Sequence, residues 1–327
     1  MIFEKSIERK FRQTLFVRCD NTGMAYYFSA ADFPGLRQEP YAFTTVLGDR
    51  LQGYFYAYEN AIPDRLIVFD HGHGAGHRAY MKEIELLCRH GFRVFAYDHT
   101  GCWESEGAGC NGFTQSLSDL RDALTALKAD GKAKAGQIAV MGHSWGGFAA
   151  LNVAAFHPDV THVVVLSGFV SLERILAQNF PGLLKPYRKG LYEINAKVHP
   201  DCADADGVRT LQNSRALALL IYSDNDPLVK VAYNYEPLRE ALAGNDRITL
   251  RLEQGKGHNP NYTTDAVAYL GAYLAAKNKF AKNGRLEPGG QKANFVASFD
   301  WDRMTAQDEA VWQAIFDHLD RKNPDFL

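Results

Sequence analysis

An α/β fold, with a mostly parallel, doubly wound sheet flanked by helices, is predicted by three observations. From Leu66 to about Ala276, short apolar runs of strand length alternate with helix-length amphipathic stretches, as parallel strands joined by crossover helices require. Ahead of them, Phe43–Leu47 and Leu51–Tyr58 flank Gly48-Asp49 and read as an antiparallel hairpin at the entry of the sheet. The apolar run Ile138–Met141 passes directly into Gly142-His143-Ser144-Trp145-Gly146 and then into a small-residue helix pattern. Such a strand–turn–helix junction holds one serine above the sheet on a turn so sharp that its neighbours two before and two after are glycine.

Each element follows from its own pattern. The apolar stretches Leu66–Phe69, Phe92–Tyr97, Val163–Leu166 and Ala216–Tyr222 read as buried strands, and Ile248–Leu252 alternates like one. Helical periodicity covers Arg78–His90, Gln115–Ala129, Gly146–His157, Tyr233–Ala243 and Asp265–Ala276. The interval from Phe169 to Asn213 is too long for a connecting loop. It reads as largely helical, with apolar Ile175, Leu176, Phe180, Leu183, Leu184 and Leu191. In the tail, Ala306–Leu319 reads as an amphipathic helix with Thr305 or Asp302 near its start.

Composition narrows the function classes. The 327 residues are 46% hydrophobic and 23% charged, enough for one large core or a core with an insertion. A net charge of -2 leaves no basic footprint for nucleic acid. No run approaches a membrane span, and Met1 to Arg12 lacks the apolar stretch of a signal peptide, so no membrane partner is expected. Cys19, Cys88, Cys102, Cys110 and Cys202 show neither zinc nor redox spacing, and reduced thiols in a cytoplasmic protein are the expectation.

The chemistry rests on three residues. A serine hydroxyl is a poor nucleophile unless a base removes its proton, and the base works best when a carboxylate fixes its tautomer. Beyond Ser144, the run Ala216–Tyr222 ends in the polar turn Ser223-Asp224-Asn225-Asp226-Pro227, and Ile248–Leu252 is followed by Gly255-Lys256-Gly257-His258. Serine, acid and histidine thus occur in that order, each just past the C-terminal end of a strand.

These motifs, over roughly residues 43 to 278, resemble the α/β-hydrolase superfamily of serine hydrolases. The elbow Gly142–Gly146 carries the resemblance, with His71-Gly72-His73-Gly74 after a strand, Asp98-x-x-Gly101-x-x-x-Ser105, Asp226-Pro227 and Gly257-His258. It implies Ser144 as nucleophile, His258 as base, Asp226 as acid, and the backbone N–H groups of His73 and Trp145 as the oxyanion hole. It implies no cofactor and no metal. The acid strand of the family usually ends in Gly-x-x-Asp, and Ser223 replaces that glycine, which keeps Asp224 in play as a competing acid. The superfamily inserts a cap between the strands that flank 169–213. The expected organisation is therefore a core of 1–168 and 214–327 with a helical cap of 169–213 over the pocket. The implied partner is a small-molecule acyl substrate, most plausibly a carboxylic ester. Amide and thioester cleavage use the same apparatus, and the fold also serves as a non-catalytic binding module.

The remaining histidines carry a plainer expectation. His71, His73 and His77 lie near Asp98 and His99, but the metallo-hydrolase pattern His-x-His-x-Asp-His needs Asp and His where this chain has Ala75 and Gly76. Imidazoles that orient a glycine-rich loop, with Asp98 capping backbone N–H groups, are expected instead. His143 beside the serine is expected to pack rather than act as a second base.

Overall fold

The hairpin around Gly48 opens the sheet. In the computed structural model, which describes residues 2–133, 136–282 and 290–326, β1 (Arg37–Thr44) pairs antiparallel with β2 (Arg50–Ala57). The first strand starts six residues earlier than the apolar pattern suggests and runs through Pro40. An edge strand tolerates proline because one side needs no ladder donor, and β1 is the edge of the sheet.

Parallel strands follow: β3 (Arg65–Asp70), β4 (Arg93–Tyr97), β5 (Gln137–His143), β6 (His162–Leu166), β7 (Leu217–Ser223) and β8 (Ile248–Glu253). The described strands form one eight-stranded sheet in the order β1-β2-β4-β3-β5-β6-β7-β8, with β2 antiparallel to β4 and all later pairs parallel. All six loops that follow β3 to β8 therefore leave from one edge, where ligands bind in open α/β sheets.

Helices cover both faces. In chain order they are α1 (Ile2–Leu15), α2 (Met81–Arg89), α3 (Gln115–Ala129) and α4 (Trp145–Asn152). Then come α5 (Leu172–Asn179), α6 (Arg188–Val198), α7 (Pro200–Ala203), α8 (Gly207–Asn213) and α9 (Tyr235–Ala241). The tail holds α10 (Thr264–Lys282), α11 (Gly290–Ala297), α12 (Trp301–Met304) and α13 (Glu309–Leu319). Side chains alternate across each strand. Leu66 and Val68 join one core with Val140, Val165 and Leu220, while Ile67 and Phe69 join another with Met141, Val164 and Ile221.

Further departures from the sequence expectation lie towards both ends of the chain. Helix α1 lies in the first forty residues, where no element was assigned, although Ile7, Phe11 and Leu15 recur at i, i+4 spacing. The tail helix starts at Glu309 with Asp308 as its cap, accepting from the Ala310 and Val311 amides. Neither Thr305 nor Asp302 caps it: the Thr305 hydroxyl donates to the Trp301 carbonyl, and Asp302 pairs with Lys82. This helix is core, since Val311, Trp312, Ile315 and Leu319 are buried. At about 1.5–3 kcal/mol each, their burial contributes on the order of 6–12 kcal/mol, comparable to the whole net stability of a domain. No helix among the described residues is long and apolar enough to cross a membrane.

Candidate active site

Ser144 sits where β5 turns into α4, with φ 55° and ψ -108°. A non-glycine residue there stores about 1–3 kcal/mol of strain that the surroundings must hold in place. The glycines of the motif do so by close approach. A Cβ on Gly142 would lie 2.1 Å from the Gly146 carbonyl oxygen, and one on Gly146 would lie 2.1 Å from that of Asp70. The Ser144 amide donates to the Leu166 carbonyl of β6 at 2.9 Å, which locks the turn to the neighbouring strand.

The acid and base loops are stitched together rung by rung. The Ser223 hydroxyl accepts from the Lys256 amide at 3.0 Å and donates to Asn225 Oδ1. Asp224 Oδ1 accepts from the Gly255 amide at 2.8 Å, and Asn225 Oδ1 from the Gly257 amide at 2.7 Å. Asp226 Oδ2 then meets His258 Nδ1 at 2.8 Å. The serine that replaces the family's glycine is thus one of the rungs. It leaves the register in which Asp226 faces His258 while Asp224 holds a backbone amide. Asp226 Oδ1 also accepts from the Leu228 and Val229 amides at 2.8 and 3.0 Å. Burial alone would raise the Asp226 carboxyl, but His258 and these two amides outweigh it and hold it below the usual carboxylate range.

The histidine beside Ser144 does more than pack. His143 Nε2 lies 2.7 Å from the His258 carbonyl oxygen, which can only accept, so this nitrogen carries the proton. Its Nδ1 therefore accepts from the Tyr80 hydroxyl at 2.8 Å, and that hydroxyl in turn accepts from the Gly72 amide at 3.0 Å. One chain of hydrogen bonds joins the loop after β3, the elbow and the base loop. Burial, followed by the nearby charge of His258, pushes His143 down to about 3 and keeps it neutral. Tyr80 carries no signal in the sequence, since its role comes entirely from where α2 begins.

The loop after β3 brings His73 beside the elbow, its ring 5.2 Å from the Trp145 indole in an edge contact. The amides of His73 and Trp145 take part in no loop or cap hydrogen bond among the described residues. The Trp145 indole N–H donates to the Phe113 carbonyl at 2.8 Å. Phe113 in turn lines an apolar cavity of about 420 Å³ with Phe11 and Leu15 of α1 and with Phe180 and Leu184.

Beneath this edge the other histidines orient loops. His99 lies buried between Asp70 (2.8 Å) and Asp119 (3.1 Å). Burial alone would depress it, but the two carboxylates outweigh that and raise it to about 10, so it is an imidazolium. His71 donates from Nδ1 to the Gly72 carbonyl and accepts the His99 amide at Nε2. Burial pushes it down to about 3. Asp98 accepts from the His77 and Glu104 amides and pairs with the His77 ring, the capping role its position implies.

The sequence matches the profile of a family described as Hydrolase_4, serine aminopeptidase S33, over residues 61–256. It is 25% identical over 218 residues to a dipeptidyl peptidase family member 6 of Caenorhabditis elegans, covering 61% of this chain and 28% of that protein. Over 108 residues it is 31% identical to a putative carbamate hydrolase, RutD, of Serratia proteamaculans (strain 568), covering 33% of this chain and 39% of that protein. The chain thus spans well under half the length of either curated relative. In three dimensions it is similar to an esterase of Pyrococcus furiosus, with a TM-score of 0.55 at 20% identity over 78% of this chain and 94% of the other. That likeness concerns the fold. With three fifths of its length inside the profile and the loops of Ser144, Asp226 and His258 on one edge of the sheet, the chain has the α/β-hydrolase fold and belongs to the serine aminopeptidase S33 (Hydrolase_4) family.

Proposed function

We propose that the chain is a serine hydrolase that cleaves a small carboxylic ester through an acyl-enzyme intermediate. The observation that carries this reading is the His258–Asp226 pair, held by the rungs between their loops beside a strained Ser144. Ser144 attacks the carbonyl carbon while His258 Nε2 takes its proton, and the Ser144 Oγ–carbon bond forms as the carbonyl oxygen becomes an oxyanion. The His73 and Trp145 amides receive that oxyanion, assisted by the N-terminal end of α4. His258 returns the proton to the departing alcohol, and a water deprotonated by the same base releases the acid.

Segment 169–213 acts as the cap in this reading, with Phe180 and Leu184 walling the apolar cavity that reaches Phe113. The five cysteines are all free thiols, which suits a reducing cytoplasm. Cleavage of an amide is the second reading, supported by the family's description as serine aminopeptidases.

The test is labelling of the native chain with a fluorophosphonate, followed by rates on p-nitrophenyl esters, aminoacyl amides and acyl thioesters. Label confined to Ser144 and lost in Ser144→Ala, with esters turned over fastest, is the expected result. A folded chain that takes no label is a binding module, and faster amide turnover selects the second reading.

A further inference from the structure

Three of the five cysteines converge on one point. Cys19 follows α1, while Cys102 and Cys110 belong to the loop after β4. Cys110 Sγ lies 3.3 Å from Cys19 Sγ and 3.5 Å from Cys102 Sγ. All three sulfurs fall within 4.8 Å of one another, which no other set of three histidine, cysteine or carboxylate side chains achieves among the described residues. A tetrahedral zinc ion with bonds of about 2.3 Å places its sulfurs about 3.8 Å apart, so the observed triangle is close to the size such an ion needs.

The backbone that carries these sulfurs is fixed independently of them. The Cys19 amide donates to the Gly101 carbonyl at 2.8 Å, the Trp103 amide to the Cys19 carbonyl at 3.1 Å, and the Cys110 amide to the Val17 carbonyl at 3.3 Å. Gly109 allows the approach, since a Cβ there would lie 1.9 Å from the Phe16 carbonyl oxygen. The triangle of sulfurs is preformed, and Cys102 and Cys110 are fully buried while Cys19 is partly exposed, which leaves an entry path beside it.

A fourth donor stands nearby. His73 Nε2 is buried without a hydrogen-bond partner among the described residues. Its ring is near enough to Cys19 for their charges to interact, although it lies outside the radius enclosing the three sulfurs. An inward movement of the loop after β3 would be needed to complete a Cys₃His set.

We propose that Cys19, Cys102 and Cys110 form a site for a thiophilic d¹⁰ cation such as zinc, with His73 as fourth ligand. On binding, each thiol gives its proton to solvent as its sulfur takes up the metal. The metal pins the segment after α1 onto the loop after β4 and steadies His73, whose ring packs against Trp145 of the elbow. Three soft sulfurs and one imidazole, with no carboxylate, select zinc or copper(I) over magnesium or calcium.

The test uses the full chain, reduced and stripped of metal. Cobalt(II) titration should produce a thiolate-to-metal charge-transfer band saturating at one ion per chain, and zinc should then displace the cobalt with a Kd below about 100 nM. Cys19→Ser and Cys110→Ser should each weaken zinc binding by about 100-fold or more, while Cys88→Ser, outside the cluster, binds as the parent does. A folded, reduced chain without the band overturns the site, as does unchanged affinity in Cys110→Ser. If that variant fails to fold, alkylation of the parent decides: zinc should slow modification of Cys19 at least about tenfold, and unprotected Cys19 overturns the site. Mild oxidation that yields a Cys19–Cys110 disulfide, in a chain that takes up no metal when reduced, also overturns it.

Discussion

Replacing Asp226 by asparagine isolates the contribution of one charge, because the structure fixes how the new side chain must sit. The Leu228 and Val229 amides both donate to Asp226 Oδ1, so an asparagine keeps its oxygen there and turns its NH₂ towards His258. His258 Nδ1, 2.8 Å away, must then accept, which moves its proton to Nε2. A histidine with that tautomer cannot take a proton from Ser144, and no carboxylate remains to stabilise the imidazolium. The expected loss in kcat is about 10⁴-fold, or about 5 kcal/mol of transition-state stabilisation. The control is Asp224→Asn, where the retained oxygen still accepts from Gly255, and the change should stay within about 0.5 kcal/mol, roughly twofold. Initial rates on a p-nitrophenyl ester, with thermal unfolding of each variant, separate catalysis from folding. Near-parental activity of Asp226→Asn in a folded protein, or a larger loss from Asp224→Asn, refutes the assignment.

Three further outcomes are expected. Tyr80→Phe removes the donor to His143 Nδ1 and the acceptor for the Gly72 amide, a loss of about 1–3 kcal/mol; kcat should fall about 5- to 150-fold at constant KM, whereas a lowered Tm with unchanged kcat would give Tyr80 a purely structural part. Stability should peak near pH 6.5: below it, unfolding lets His71 and His143 take protons that their folded values of about 3 refuse, costing about 2 kcal/mol each at pH 5. Above it, the stability that His99 supplies as an imidazolium, complete below its unfolded pKa of about 6.5, is lost as pH rises towards its folded value of about 10; urea midpoints flat from pH 6.5 to 9 would contradict this. Phe180→Ala or Leu184→Ala should change the rate ratio between short and long acyl chains by roughly 10- to 200-fold, and unchanged ratios with lowered stability would make that segment ordinary core.

The parts legible in the sequence were those set by local pattern. The run Gln115–Ala129 is a helix with those very bounds, and the strands after Leu66 fall within a residue or two of their apolar runs. Ser144, His258 and the polar turn 223–227 stand out because each follows a strand directly. What a single sequence withholds is which polar atoms meet. The local spacing favours Asp226 over Asp224 only by resemblance, because the pairing with His258 depends on the Gly255, Lys256 and Gly257 amides presented by another loop. Cys19 and Cys110, 91 residues apart, meet only because the segment after α1 lies across the loop after β4. The His143 relay is hidden for the same reason, since Tyr80 and Gly72 come from other elements.

The buried tail helix has a consequence for how the chain is made. Helix α13 covers the sheet face that carries Ile67, Phe69, Met141 and Ile221, and its capping Asp308 also pairs with Lys256, two residues before His258. During synthesis every described strand, with Ser144, Asp226 and His258, leaves the ribosome before that helix does. Until it arrives, an apolar sheet face stays open to water, and the base loop lacks one of its anchors. The nascent chain is therefore most exposed to chaperones and to aggregation late in translation, with the loop of His258 already made but not yet held in place. A stalled or truncated product ending before residue 309 should behave as a sticky intermediate rather than as a smaller folded domain.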